Sequence, residues 1–291
     1  MIIDSHAHYV SHAYDKPFRY LNRGESGYFL EEGDRETLLQ KMEAAGVVCS
    51  IEPGVSLESN RELLALCSSL EGRLFPAIGV HPTRATGEKW SRRRELIPLL
   101  QSPGVVAVGE TGLDYHYPRK EQFRLRQMAW FWYQLNLAKR MGLPLILHVR
   151  NAYPQALKLL KLHPARKNGG VLHCFNGNWE DAAGFLELGF FLGIGGSILQ
   201  REERAAELWD VVRKTPLERL LVETDAPYIL PDCRDVIKPK LLRRARNTSL
   251  ILPAVIEKIA ELKGISPETV EHVTARNVIC LFSLPVETEN A

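Results

Sequence analysis

The chain has no C-x-x-C pair, no apolar run of membrane-spanning length, no surplus of one charge and no glycine-rich phosphate loop behind its first apolar run. Its five cysteines (Cys49, Cys67, Cys174, Cys233, Cys280) are odd in number and widely scattered. That pattern excludes a disulfide framework or a zinc knuckle and fits a reducing cytoplasm. Thirty-seven Lys and Arg against 35 Asp and Glu leave a formal charge of +2, too near balance to announce a nucleic-acid binder or a membrane-surface protein. Charges, glycine or proline interrupt every long apolar stretch and the first strand-like run starts at Ile2, so neither a membrane span nor a signal or transit peptide is expected. Nothing in the composition calls for an obligate protein partner.

What is present is a set of short apolar runs, each stopping on a residue type that binds divalent metals. They are IIDSHAH (2–8), VVAVGE (105–110), LILH (145–148), VLH (171–173) and LLVETD (220–225). Runs of this length and composition read as strands buried on both faces, the appearance of a parallel sheet. With 47–53, 74–81 and 190–194 they make eight strand candidates. Helix-like segments alternate with them at 34–45, 57–71, 88–101, 119–141, 180–188 and 201–213. Residues 11–33 read as an extended loop, and the tail 250–282 as helical, with a break at Gly264 and a Ser266-Pro267 restart. Eight strands with intervening helices predict a single domain over 1–291, a TIM (β/α)8 barrel with C-terminal helices. A doubly wound open sheet is the competing topology, but its phosphate loop is missing.

In a barrel every carboxyl strand end opens on one mouth, so this scattered list becomes a cluster. Side chains two apart on a strand share a face, which aligns Asp4, His6 and His8, His148 with Arg150, and Glu223 with Asp225. Imidazoles and carboxylates suit Zn, Mn or Fe, and Mg where carboxylate and water dominate. His6, His8, His148 and His173 together with Glu110 and Asp225 exceed what one catalytic ion needs. Two divalent ions (Mg, Mn or Zn) are therefore expected, with one Glu110 oxygen for each. Such a pair, roughly 3.5 to 4 Å apart, activates a water and stabilises a leaving oxygen.

The strings DSHAH, GVHP, GETGLDY, EQFRLRQ, LILHVRNA, LHCFNG, LGFFLGIGG, LLVETDAPY and RNTSLILPAVIEKIAELKG follow one another from residue 2 to 282. In that order and spacing they resemble the TatD family of metal-dependent deoxyribonucleases, within the amidohydrolase superfamily. The resemblance implies a TIM barrel, a divalent metal centre and hydrolysis of phosphodiester bonds in DNA, with exonuclease action on single-stranded DNA or strand ends expected. By position, His6, His8, Glu110 and Asp225 match the ligands of one ion, and Glu110, His148 and His173 those of the other. Glu110 and Asp225 are the expected catalytic residues, Asp225 handling the proton of the attacking water. Two positions depart from the family pattern: Thr83 stands where H-P-H has its second histidine, and Asn151 where an acidic residue is common. The 11–33 stretch is also longer than in many relatives and is a candidate rim over the site. A small-molecule ester, amide or lactone hydrolase is the alternative, since superfamily relatives share the constellation, and a non-catalytic metal-binding protein is a distant third.

Duller readings accompany the remaining residues. His81 either contacts substrate or shapes a turn before Pro82. Arg150 either binds phosphate or pairs with Glu223 or another mouth carboxylate. Asp4 and Glu223 orient metal-bound histidines or simply bond strand ends. Cys174 follows His173, so alternation sends it away from the metals as an inert thiol. Trp130, Phe131, Trp132 and Tyr133 read as helix packing rather than base stacking. The basic run Lys238, Lys240, Arg243, Arg244 and Arg246 reads as a solvated helix face, with a phosphate backbone as the alternative.

Overall fold

Alternation sorts each apolar run onto two faces, and in the computed structural model both faces are covered. The structure describes residues 1–24, 27–70, 72–116 and 121–286. In chain order, β1 (Ile2–Asp4) leads to a hairpin of β2 (Phe18–Gly24) and β3 (Gly27–Gly33), then α1 (Arg35–Ala44), β4 (Val47–Pro53), α2 (Leu57–Ser69) and β5 (Leu74–Ile78). Next come α3 (Pro82–Ala85), α4 (Leu96–Leu100), β6 (Ala107–Asp114), α5 (Glu121–Met141), β7 (Leu145–Arg150), α6 (Tyr153–Leu162) and β8 (Gly170–Leu172). The chain continues through α7 (Trp179–Glu187), β9 (Phe191–Ile194), α8 (Glu202–Lys214), β10 (Leu220–Val222), α9 (Pro239–Leu242) and β11 (Ala245–Arg246). Helices α10 (Leu252–Lys263) and α11 (Pro267–Phe282) follow. No helix among the described residues is long and apolar enough to cross a membrane.

Eight strands form one parallel sheet in the order β1-β4-β5-β6-β7-β8-β9-β10. The seam between its two edges is drawn together by Ser5 N–H donating to the Val222 carbonyl at 3.0 Å and His8 N–H donating to that of Ala226 at 2.8 Å. This is the expected TIM barrel, nearly closed. Ile3, Ile51, Phe75, Ala107, Ile146, Val171 and Leu221 fill its interior, while their neighbours, Leu145, Leu147, Leu220 and Val222 among them, face the helical layer. Val278 and Phe282 of α11 join the interior cluster, so the amino-terminal end is plugged by apolar packing. The carboxyl end is left for polar chemistry.

The differences from expectation have local causes. Residues 11–33 were expected as a loop, yet 18–24 and 27–33 pair antiparallel, and β11 adds a third, parallel strand. Phe18, Tyr20 and Leu21 bury there, but charges and glycines between them hide the alternation. The helix expected over 88–101 is divided into a 3-10 turn, Trp90–Glu95, and α4. A continuous helix would place Pro98 in its interior, whereas in a separate α4 it falls in the first turn. Helix α6 was not anticipated, although Pro154 in its first turn is a start signal. β1 stops at Asp4, which leaves His6 and His8 on the segment beyond it. The expected helix starts and ends at 119, 120 and 71 lie outside the described residues.

One glycine is dictated by this geometry. Gly112 in β6 has φ of +137°, and a Cβ there would lie 2.1 Å from the His148 carbonyl oxygen of β7. Both the backbone conformation and the close approach to β7 demand a hydrogen. Gly112→Ala is expected to lower stability by roughly 2–4 kcal/mol through combined strain and overpacking, read as a shift in the midpoint of urea unfolding at an unchanged slope.

Candidate metal centre

The polar mouth is organised around one carboxylate. Glu110 lies in β6 and is only 2% exposed. Its Oε2 faces His6 Nε2 and His8 Nε2, each at 3.7 Å. Its Oε1 faces His173 Nε2 at 2.8 Å, His148 Nδ1 at 2.9 Å and His81 Nε2 at 3.2 Å. Asp225 completes the first side, with Oδ1 3.7 Å from His6 Nε2 and 3.4 Å from His8 Nε2. His6 Nε2 and His8 Nε2 are themselves 3.2 Å apart, and His148 Nδ1 and His173 Nε2 are 3.0 Å apart. The six expected ligands thus converge from β1, β6, β7, β8 and β10 or the segments just beyond them.

The rings are held from behind. A carbonyl only accepts, so the 3.2 Å contact between His8 Nδ1 and Pro53 O puts a proton on Nδ1 and, in the neutral ring, the lone pair on Nε2, facing the cluster. His148 Nε2 lies 3.1 Å from Asp114 Oδ2, which leaves its Nδ1 for the inward side. His173 Nδ1 is 3.9 Å from Glu223 Oε1, and the other Glu223 oxygen is buried without a partner. The position next to it is open only because residue 193 is glycine: a Cβ there would sit 2.1 Å from Glu223 Oε2. His81 differs from the other histidines. Thr83 N–H donates to its Nδ1 at 3.1 Å, so the proton sits on Nε2. Its 3.2 Å contact with Glu110 Oε1 is then a donated hydrogen bond, and the nitrogen has no lone pair to offer.

Charge follows from these contacts. Burial favours a neutral Glu110, but His81, His173 and His148 outweigh it and hold the carboxyl well below the usual range. Burial and the neighbouring His173 drive His6 well below the ordinary histidine value, and burial lowers His81. His8 is raised to about 9 despite burial, because Asp225 and Glu110 favour its cation. His148 is likewise raised to about 9 against burial by Asp114 and Glu110. The donor set fits divalent ions. A carboxylate or imidazole atom from each of His6, His8 and Asp225 lies within 4.8 Å of the others, and the same holds for His6, Glu110 and His173. In addition, His6 Nδ1 and His173 Nδ1 are buried without hydrogen-bond partners.

The other expected residues divide. Asp4 contacts no imidazole ring. It accepts from Ser249 Oγ and Thr224 Oγ1 at 2.6 Å and from the His6 and Thr224 N–H groups at 3.1 Å, so it ties together the segments that carry His6 and Asp225. Burial nevertheless raises it to about 6. Arg150 ends β7 two residues beyond His148, exposed, and makes no ion pair among the described residues. Glu223 is fully buried, and the mouth carboxylate that feels the Arg150 charge is Asp114, its neighbour across β6 and β7. Cys174 does not follow simple alternation, because its backbone is left-handed with φ of 48°. Burial and the carboxylates of Asp225, Glu223 and Glu110 raise its thiol well above the ordinary value, so it stays protonated beside the site. Trp130 and Phe131 are buried in helix packing, while Trp132 is 41% exposed.

Two contributors went unnoticed in the sequence. Asp114, which orients His148, shares a strand face with Glu110 by period two, and that spacing in GETGLD was the available signal. Glu52, fully buried in β4, accepts from the Tyr9 N–H at 2.6 Å and from the Ser50 hydroxyl at 2.8 Å. It anchors the backbone just past His8. A lone acid inside the apolar run VVCSIEP was its only mark.

A model of the TatD-related DNases matches residues 3–283. The chain belongs to this family. A protein named 3'-5' ssDNA/RNA exonuclease TatD from Klebsiella pneumoniae is 36% identical over 255 residues, 87% of this chain and 93% of that one. One of the same name from Edwardsiella piscicida is 37% identical over 252 residues, 87% of this chain and 94% of that one. Among solved structures, a TatD homologue from Escherichia coli superposes with a TM-score of 0.82 at 30% identity, covering 98% of both chains. A TatD family hydrolase from Entamoeba histolytica, at 24% identity with 97% of both chains covered, has the same fold with a TM-score of 0.79.

Because His8 and His148 are both raised to about 9, they carry protons at pH 7 that a divalent ion must displace. Affinity for Mn or Zn should therefore climb as pH rises towards about 9, with protons released on binding; calorimetry in two buffers of different ionisation enthalpy measures that release, and none at pH 7 would contradict it. Asp114→Asn should weaken ion binding by about 10–100-fold through loss of the His148 orientation, measured by the same titration.

Proposed function

We propose that this chain is a metal-dependent nuclease that removes nucleotides from the 3' end of single-stranded nucleic acid. The observation that carries the reading is the division of Glu110, whose two oxygens each face a separate histidine group at one barrel mouth. His6, His8, Glu110 and Asp225 would hold one divalent ion, and Glu110, His148 and His173 a second. Bound there, Mg, Mn or Zn would supply an acidified water and charge stabilisation for a displacement at phosphorus. The names of the curated relatives support a single-stranded substrate and the 3'-5' direction.

The residues of the chain have separable tasks in this reading. Asp225, 16% exposed at the edge of the cluster, takes the proton of the attacking water. His81 keeps its Nε2 proton pointed into the site, available to a phosphoryl oxygen once substrate displaces part of its contact with Glu110. Arg150, exposed and with no ion pair among the described residues, meets the phosphate charge at the rim. Asp4, Asp114 and Glu223 hold the ligand segments and rings in place. Buried Glu110 needs no proton exchange, since its neighbours keep it ionised.

The decisive test is a 5'-labelled single-stranded oligodeoxynucleotide incubated with metal-stripped protein to which Mg or Mn is returned. A ladder shortening from the 3' end that depends on metal, and is reduced more than about 100-fold in Glu110→Ala, is the expected result. Metal-loaded protein that leaves the strand intact would overturn the nuclease reading and direct attention to carboxylic esters, amides and lactones of small molecules.

A further inference from the structure

A second polar feature lies beside the metal centre. A cavity of about 660 Å³ opens between the segment after β1, the hairpin β2–β3 and β11, and its walls carry Lys16, Arg19, Arg244 and Arg246. Two carboxylates also reach it, but both are engaged. Asp15 accepts from Arg35 Nη2 at 2.9 Å and pairs with His12 Nδ1 at 2.6 Å, and Glu32 pairs with Arg19 Nε at 2.5 Å. Lys16, Arg244 and Arg246 are left with no ion pair among the described residues. Arg246 is half-buried, and its Nε is enclosed without a hydrogen-bond partner. A desolvated guanidinium nitrogen with nothing to donate to is costly.

This cavity is joined to the metal centre through the chain. The segment bearing Lys16 continues directly from His8. Tyr14 Oη donates to the Asn247 carbonyl at 2.9 Å, and Asn247 Nδ2 donates to the Thr224 carbonyl at 3.0 Å, next to Asp225. Both walls are therefore extensions of the segments that carry the ligands, on the same end of the barrel. The chain as a whole is nearly neutral at +2, so three uncompensated cations in one recess are a local arrangement. Of the rings on its walls, Phe18 is 8% exposed and packs edge-on against Tyr14, and the exposed His12 imidazole is paired with Asp15. The cations of the recess suit the sugar-phosphate backbone, contacts that carry no sequence information.

We propose that Lys16, Arg244 and Arg246 form a subsite for phosphates of the nucleic-acid strand away from the bond being cut. The inference rests on the nuclease reading and deepens it, by giving the strand a path from the metal centre across the hairpin. Such a subsite holds a long strand while successive end nucleotides are removed, and it contributes nothing to a dinucleotide too short to span both places.

The test is binding, independent of cleavage. A fluorescent single-stranded 12-mer, capped at its 3' end with an inverted nucleotide to block removal, is titrated with the metal-loaded protein at several salt concentrations. Each cation contributes roughly 0.7 to the slope of log affinity against log salt for single strands. The Lys16→Ala/Arg244→Ala/Arg246→Ala variant should therefore lose about 2 from that slope and bind at least about tenfold more weakly. Because Arg246 is half-buried, the exposed double variant Lys16→Ala/Arg244→Ala is measured alongside, with a loss of about 1.4 expected and an unchanged melting temperature. Affinity and slope unaltered in the double variant would overturn the subsite, as would a free deoxynucleoside monophosphate that displaces the 12-mer as effectively as an unlabelled 12-mer does. Wild-type protein that shows the salt dependence and yet cuts no uncapped strand would sink the nuclease reading and leave the subsite standing.

Discussion

The mouth of this barrel depends on a single buried carboxylate that is kept ionised. Glu110 is nearly inaccessible, and burial alone would neutralise it. Five imidazoles gathered on its two oxygens reverse that preference. The converse is equally true, since five histidines this close together would repel one another if protonated without an anion between them. The cluster is therefore a mutual arrangement in which neither the carboxylate nor the rings have a stable place alone. Behind it, Pro53 O and Asp114 settle which nitrogen of His8 and of His148 looks inward. Chemistry at the mouth is thus fixed two shells deep by strands whose lower halves are ordinary hydrocarbon packing.

That division of labour explains why so much was legible in the sequence. Two-sided burial gives each strand a continuous apolar signature, and a His, Glu or Asp at its end stands out because nothing else about the strand is polar. All eight strands were legible from their apolar runs, and the six residues that gather at the mouth were legible from the ends of five of them. The hairpin 18–33 was not legible because it rests on the rim with one face exposed, and its charges and glycines carry no periodic mark. Asp114 was hidden by the prominence of Glu110 in the same strand. Cys174 could not be placed by alternation because one left-handed residue breaks the rule at that point. The proton on His81 was beyond any reading of residue types, since it follows from a backbone N–H three-dimensionally aimed at one ring atom.

The rim departs further from the simple barrel than the centre does. The extra hairpin does not close over the mouth as a separate lid. It pairs with β11 and so joins the loop after the first barrel strand to the loop after the last. Variation among barrel enzymes is concentrated in such loops, and here the addition brings basic side chains to one flank while the ligand-bearing core is unchanged.

The seam between β1 and β10 has one more implication, for how the molecule is made. His6 and His8 stand on one side of it and Asp225 on the other, and Asp4 is hydrogen-bonded to Thr224, 220 residues away in sequence. Contacts at that separation carry a large loop-closure entropy and belong to the slow, late part of assembly. One half of the ligand cluster therefore does not exist until the final strand of the sheet has docked against the first. A chain interrupted before β10 keeps Glu110, His148 and His173 but lacks Asp225 and the seam, so the half of the cluster built on His6 and His8 cannot assemble in it.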